Sequence, residues 1–440
     1  MSNSKTMELA KWAVNYAMKN GADNVSVNTS KVRSVDVEFR DRKMDQLNES
    51  TQYSLSLSIY ARGKYSSHST NDLRKEAMGK FIDEAIAMTK YLSEDKYRKL
   101  PDPKYYEGRE IIDLNLYDPY YETVTSDQRV KAAKTIEDHT LSLSDKIITC
   151  TSYAGDSYSE SVKVHSNGFE GERKSSSFHT GVEATIDDGN GGRPNDWDYI
   201  STRFHKDLPN IESHGKIAID RVLAKIGQKK MESGVYDMVV ENRAANRLIS
   251  PFYSPMQARL IQRKNSFLES KLGEKIASDK LTLIDDPFIV SGLGSRLYDG
   301  EGMATKKRVM IDKGVLKSYY VDCYYGNKLG WEPTIGSSTN MVIEPGSRTL
   351  DQMIKSVKKG ILVTSFIGGN SNSTTGDYST GIIGLYIEDG KIVKPVNEMN
   401  VSVNLTEFWN QLAETGNDPY LSSAWRRPSM HFRDIQFSGI

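Results

Sequence analysis

The chain has 440 residues, enough for two or three domains that each bury a full core. Its 58 Lys and Arg balance its 58 Asp and Glu, so no net field draws a nucleic-acid backbone or an anionic membrane, which counts against direct DNA recognition. No window approaches the roughly 18 consecutive apolar residues of a membrane span, the N-terminus lacks the apolar core of a secretory signal, and only two cysteines occur, so a soluble chain in the reducing cytoplasm is expected.

The first helix is marked by Leu9, Trp12, Ala13, Tyr16 and Ala17 at helical spacing, with Gly21 as its stop. Alternation then takes over at Val25 and Val27, at Val35, Val37 and Phe39, and at Tyr53, Leu55, Leu57 and Ile59, the pattern of half-buried antiparallel strands. Asn71 is placed to cap a second helix with Leu73, Ala77, Phe81, Ile82 and Ala85 on one face. The charged stretch LSEDKYRKLPDPKYYEGRE, with Pro101 and Pro103, reads as a linker. The order then recurs. A helix from about Ser126 to Leu143 precedes strands KIITCTSYAG and SESVKVHSNGFEGERKSSSFHTGVEATIDD, the latter with an Asn167-Gly168 hairpin turn, and a helix from about His214 to Gly227 follows. Residues 1–230 are read as an N-terminal α+β domain of antiparallel strands and helices, in two similar halves, about 1–95 and 110–230, that imply an internal duplication.

A C-terminal α+β domain rich in short antiparallel strands is expected over 231–440. It opens with strand VYDMVVE and a helical stretch from Asn242 to about Ser278. Strands KRVMIDKGVLKSYYVD, GILVTSF and GIIGLYIEDGKIVKPV follow, the last with an Asp389-Gly390 turn; helix NLTEFWNQLAETG and strand MHFRDIQFSGI close the chain.

No two of the seven histidines lie three or four residues apart, so a helix-borne zinc pair is absent. Cys150 and Cys323 sit in apolar or aromatic strand-like runs and read as packing residues. There is no Gly-x-Ser-x-Gly elbow, and GLGSRL at 292–297 reads as a turn. Asp299 and Glu301 lie in a Gly-flanked turn, where a carboxylate pair serves either acid/base chemistry or, more commonly, the turn itself. In FIGGNSNSTTGDYSTGIIG, residues 366–384, the density of Gly, Asn, Ser and Thr describes either a flexible hairpin loop or a surface that offers peptide groups to a bound chain. In GVYDMVVENRAANRLIS a strand turns into a helix and places Glu241, Asn242 and Asn246 at the junction, as helix caps or as contacts.

DGEG with IDKGVLKSYYVD, GGNSNSTTGDYSTGIIGLYIEDGKIVKPV and the ending NLTEFWNQLAETGND resemble the TldD/PmbA family, once labelled modulators of DNA gyrase and later understood as subunits of a cytoplasmic zinc protease. The likeness covers nearly the whole chain. It implies two kinds of subunit. The TldD kind carries His-Glu-x-x-x-His on a helix that follows a strand, plus a Cys near the C-terminus; the two His and the Cys hold zinc and the Glu is the general base. Here ENRAAN puts Glu241 and Asn246 at the His positions and Asn242 at that of the Glu, and no Cys follows residue 323. Asn is a poor zinc ligand and no base.

The resemblance therefore implies the PmbA or TldE kind, with no catalytic residues and no metal or other cofactor of its own. Its expected partner is a TldD-type zinc subunit, and its expected substrate an unfolded or flexible peptide held extended by strand addition. Gly368, Gly369, Asn370, Asn372, Gly376, Asp377, Tyr378, Ser379, Asp299 and Glu301 are the candidate contacts with substrate or partner. Two alternatives stay open: a stand-alone peptide-binding or assembly protein, homodimeric when alone, and an independent hydrolase built on Asp299 and Glu301. Any effect on gyrase would pass through the processing of a peptide.

Overall fold

The computed structural model describes residues 3–440. Its N-terminal part begins with α1 (Asn3–Lys19), β1 (Asn24–Arg40), β2 (Lys43–Ala61), β3 (Lys64–Thr70) and α2 (Lys75–Thr89). After the linker come α3 (Ser126–Ser142), β4 (Ile147–His165), β5 (Glu170–Ile186), β6 (Asn195–Thr202) and α4 (Ile211–Leu223). The order α-β-β-β-α thus occurs twice. All six strands form one antiparallel sheet in the order β3-β2-β1-β4-β5-β6, with the first strand of each half paired at its centre.

Alternation explains the burial. Val25, Val27, Leu55, Leu57 and Ile59 pack beneath Leu9, Ala13 and Ala17 of α1 and Ile82 and Ala85 of α2, which removes apolar area from water at about 25 cal/mol per Å². Tyr53 departs from the pattern and is exposed, lying outside the set that packs beneath α1 and α2.

Three local readings change. Asn71 does not cap α2: the helix starts at Lys75 after Arg74, and the Asp72 carboxylate takes the Arg74 backbone N–H (3.1 Å) and its guanidinium. KIITCTSYAG and SESVKVHS are one strand, β4, because the charge between them, Asp156, is buried against Arg129 (2.6 and 3.0 Å) and does not break it. The polar run NDWDYIST, unread as structure, is β6; its Asp196 and Asp198 find cations from α4 and beyond.

The second part holds β7 (Gly234–Val240), α5 (Asn246–Tyr253), α6 (Ala258–Gln262), β8 (Leu283–Asp285), β9 (Arg308–Asp312), β10 (Val315–Leu316), α7 (Cys323–Leu329), β11 (Met341–Ile343) and α8 (Leu350–Ser356). It continues with β12 (Lys359–Ser371), β13 (Asp377–Glu388), β14 (Lys391–Asn404), α9 (Leu405–Phe408), β15 (Leu412–Thr415), β16 (Trp425–Arg426) and β17 (Met430–Ser438). A small sheet runs β10-β9-β8-β11-β16 and a larger one β14-β13-β12-β7-β17-β15. β14 also pairs with β17, which closes β7, β12, β13, β14 and β17 into a ring around Val240, Ile361, Val363, Ile382, Met399, Val401, Phe432 and Phe437. Closure removes the exposed edges that a flat sheet of this length would leave. Within the ring only β7 and β12 run parallel.

The helical stretch expected from Asn242 to Ser278 is two short helices: α5 continues through Pro251 to Tyr253, and the break comes at Pro255 and at Gln257, which is extended and bridges to Tyr320. NLTEFWNQLAETG is helical only at Leu405–Phe408, with one tighter turn after it; LAET leaves as β15. The Gly-rich run 366–384 is mostly strand, the outer half of the long β12–β13 hairpin. Cys323 opens α7 rather than lying in a strand, behind the cap formed by Asp322 on the Tyr325 N–H (2.6 Å). Among the described residues, no helix is long and apolar enough to cross a membrane.

Candidate functional site

β7 runs through the core on Met238, Val239 and Val240 and stops at Glu241, whose N–H donates to Val363 of β12 (3.2 Å). The Glu241 carbonyl then accepts from Ala244 and Ala245 (3.0 and 3.1 Å), which swings the chain into α5. Neither Glu241 nor Asn242 caps that helix; its N-cap is Ala245, with no side-chain bond. Both side chains are committed elsewhere.

The Glu241 carboxylate is buried and bonded to Arg221 of α4 (2.7 and 2.8 Å). Arg221 also holds Asp196 (2.9 Å), which pairs with Lys225 (2.9 Å), and it donates to the Thr364 carbonyl of β12. The Asn242 amide donates to the Asp418 carbonyl (2.7 Å), and its backbone N–H to Ser429 Oγ (3.0 Å). Arg243 pairs with Asp198 (3.1 Å) and stacks on Trp197. Asp198 meets His214 (2.5 Å), which meets Thr180 (2.8 Å). That Asp-His-Thr series is buried throughout, so it ties α4 to β5 and β6 within the N-terminal part rather than meeting a substrate, and only Arg243 links it to the second part.

This donor set does not fit zinc. A zinc site needs converging free imidazoles, thiolates or carboxylates; here the one carboxylate faces a guanidinium and one amide is spent on a carbonyl. Among the described residues no group of three or more His, Cys, Asp or Glu is placed to hold a metal ion.

Asn246, the third residue of the set, faces a different surface. β7 pairs with β12 only across Gly360–Val363. Beyond that point Thr364–Ser371 keeps β13 on one side and, among the described residues, has no strand on the other. Gly368 and Gly369 take φ of 60° and 109°, and the register shifts between Ile367 and Asn370, a bulge whose second angle residues with a Cβ rarely adopt. The hairpin tip is rigid: Gly376 N–H bonds to the Asn372 carbonyl (2.8 Å), and Asn372 Oδ1 accepts from Thr374 (2.9 Å). Asp377 takes bonds from Thr375 (2.6 Å) and Asn404 (3.1 Å), which hold its carboxyl below the usual range. These bonds are why Asn, Ser and Thr read as loop yet form a strand pair.

Between the open edge of β12 and α5 lies a cleft of about 240 Å³ lined by Asn246, Arg247, Ser250, Pro251, Ser254, Gly369, Asn370, Ser371 and Tyr378. Tyr378 ties its walls together by donating to the Arg247 carbonyl (3.1 Å). A second groove on the hairpin, of about 510 Å³, includes Asn372, Asp377 and Ser379 and shares Asn370, Ser371 and Tyr378 with the first, and Gly368 borders a third. The structure therefore gathers Asn246 with Gly369, Asn370 and Tyr378, and places Glu241 and Asn242 in separate polar networks. Arg247, Ser250 and Arg221 went unread, since nothing local in the sequence tells that α5 will face β12 or that α4 will reach Glu241.

Asp299 and Glu301 lie apart from this cleft. Asp299 accepts from the N–H groups of Glu301 (2.8 Å) and Met303 (3.0 Å), and Glu301 from that of Cys323 (2.8 Å). Asp299 thus holds its own turn, whereas Glu301 ties that turn to the start of α7. Burial, with the Asp299 charge beside it, pushes the Glu301 carboxyl up to about 7. Burial likewise pushes the Cys150 thiol up to about 12 and that of Cys323 further, so neither is a thiolate nucleophile at neutral pH.

Family profiles match the chain in three blocks: PmbA/TldA metallopeptidase domain 1 over 25–89, the central domain over 119–226 and the C-terminal domain over 233–439. Metalloprotease PmbA of Escherichia coli O157:H7 is 28% identical over 400 residues, covering 90% of this chain and 88% of that one. Among solved structures, a Bacteroides thetaiotaomicron protein described as a candidate modulator of DNA gyrase is 43% identical, with a TM-score of 0.97 and 100% of both chains covered. TldE of Thermococcus kodakarensis shares the fold at 20% identity, TM-score 0.89, over 98% of this chain and 100% of that one.

Proposed function

Since the chain belongs to the PmbA/TldD metallopeptidase family, we propose that it is the zinc-free, TldE-type subunit of a two-chain peptidase, holding a flexible peptide for a zinc-bearing TldD-type partner. One observation carries this reading: beside a set of residues that cannot hold zinc, an open strand edge faces a polar cleft. An open edge offers main-chain donors and acceptors to any extended segment, whatever its side chains, but not to a folded one. A peptide added there gains ladder hydrogen bonds and loses chain entropy, so affinity is modest and the partner's zinc does the cleaving. The reading places the pair in the cytoplasm, and any effect on gyrase arises through the peptide processed.

The test is paired. Zinc content is measured on the purified chain, and cleavage of a disordered peptide is followed with this chain, with a TldD-type subunit from the same cell, and with both. The reading expects no zinc and no cleavage by this chain, and a mixture faster than the partner alone. Stoichiometric zinc or chelator-sensitive cleavage by the isolated chain would overturn it; peptide binding with no cleavage in any mixture would favour a stand-alone binding protein instead.

A further inference from the structure

The cleft between α5 and β12 is lined by neutral side chains with one exception, Arg247. Its neighbours Arg221 and Arg243 are ion-paired, to Asp196 and Glu241 and to Asp198, whereas Arg247 forms no ion pair among the described residues. One of its nitrogens donates to the Gly368 carbonyl on the open edge, and the Arg247 backbone is tied to the hairpin by Tyr378. The guanidinium is therefore fixed beside the place where an added strand would lie, with its remaining N–H donors open. The acids nearby do not compete for it: Glu241 is taken by Arg221, and Asp377 by Thr375 and Asn404.

Resting on the proposed role of this cleft, we infer that Arg247 selects the bound peptide: the segment laid along Thr364–Ser371 carries a carboxylate that pairs with the guanidinium. That carboxylate belongs to an Asp or Glu side chain or to the peptide's own C-terminus. A fork of parallel N–H donors matches either one. The neutral polar lining supplies orientation without a charge preference of its own.

Fluorescence polarisation with labelled, unstructured Gly/Ser/Ala peptides decides it, using the full chain alone and mixed with its zinc subunit. Three peptides are compared: one with a single Asn and an amidated end, the same with Asp for Asn, and the Asn peptide with a free C-terminal acid. At least one acid form binds about fivefold tighter than the neutral one, the gain of a well-placed exposed pair, and whichever it is identifies the source of the carboxylate. Arg247→Gln removes the preference, and Arg247→Lys keeps part of it. Equal binding of all three forms, or a preference that survives Arg247→Gln, overturns the inference while peptide addition stands. Failure of every form to bind, alone and in the mixture, overturns both.

Discussion

Arg221 lies between two carboxylates, Asp196 and Glu241, that are each almost wholly withdrawn from water. Removing a guanidinium from such a place leaves a buried charge unmet, so Arg221→Met costs about 3–5 kcal/mol in chemical denaturation, and adding Glu241→Gln recovers part of the loss. A second variant that made matters worse would show that Glu241 is held by something else. At Glu301 the effect follows pH. The folded carboxyl keeps its proton up to about 7, against an ordinary value of 4.5. Stability from the protonated form is full below the lower value and is lost as pH rises through the upper one. The melting temperature of Glu301→Gln, relative to the parent, therefore rises between about pH 5 and about pH 8; a flat difference would contradict the burial argument. Of these residues, Asp299 serves the turn-holding role that DGEG made the commoner reading, whereas the long-range bond of Glu301 to Cys323 was not legible there. Nor was Arg221, because its partner comes 20 residues later, beyond the end of α4.

Among the elements, the β12–β13 hairpin shows where sequence patterning works and where it stops. Ile361, Val363, Ile382 and Ile387 mark its inner half plainly, being apolar and buried. Its outer half, Gly368 to Ser379, resembles a loop by composition and is a strand pair by hydrogen bonding, with a bulge that sequence alone does not locate. Substituting Gly369 tests that bulge. A Cβ there meets Thr380 Oγ1 at 3.1 Å and the Ser379 carbonyl at 3.2 Å, at a φ that β-branched residues avoid. Gly369→Val is expected to cost about 1–3 kcal/mol and to weaken peptide binding, because the edge it distorts is the one offered. Unchanged affinity in a folded variant would move the peptide to another surface. The helix expected from Asn242 failed for a related reason: its apolar spacing is real, but Pro255 and the extended Gln257 divide it, and tertiary packing uses the pieces separately.

At the scale of the whole molecule, two halves of identical element order share one sheet, with β1 and β4 joined at its centre, and we propose that a duplication produced them. Sequence order was enough to see the recurrence but not the central pairing, which joins strands more than a hundred residues apart. Ring closure by β14 and β17 was hidden in the same way. Together these sheets leave one strand edge open beside α5, and the account turns on whether a peptide adds to it. Amide hydrogen exchange on this chain mixed with the proposed zinc subunit, with and without a saturating uncleavable peptide, measures that directly. The account predicts slowed exchange at Thr364–Ser371, while Ile382–Ile387, already paired on both sides, stays unchanged. A peptide that saturates the complex and leaves Thr364–Ser371 exchanging as before would contradict it.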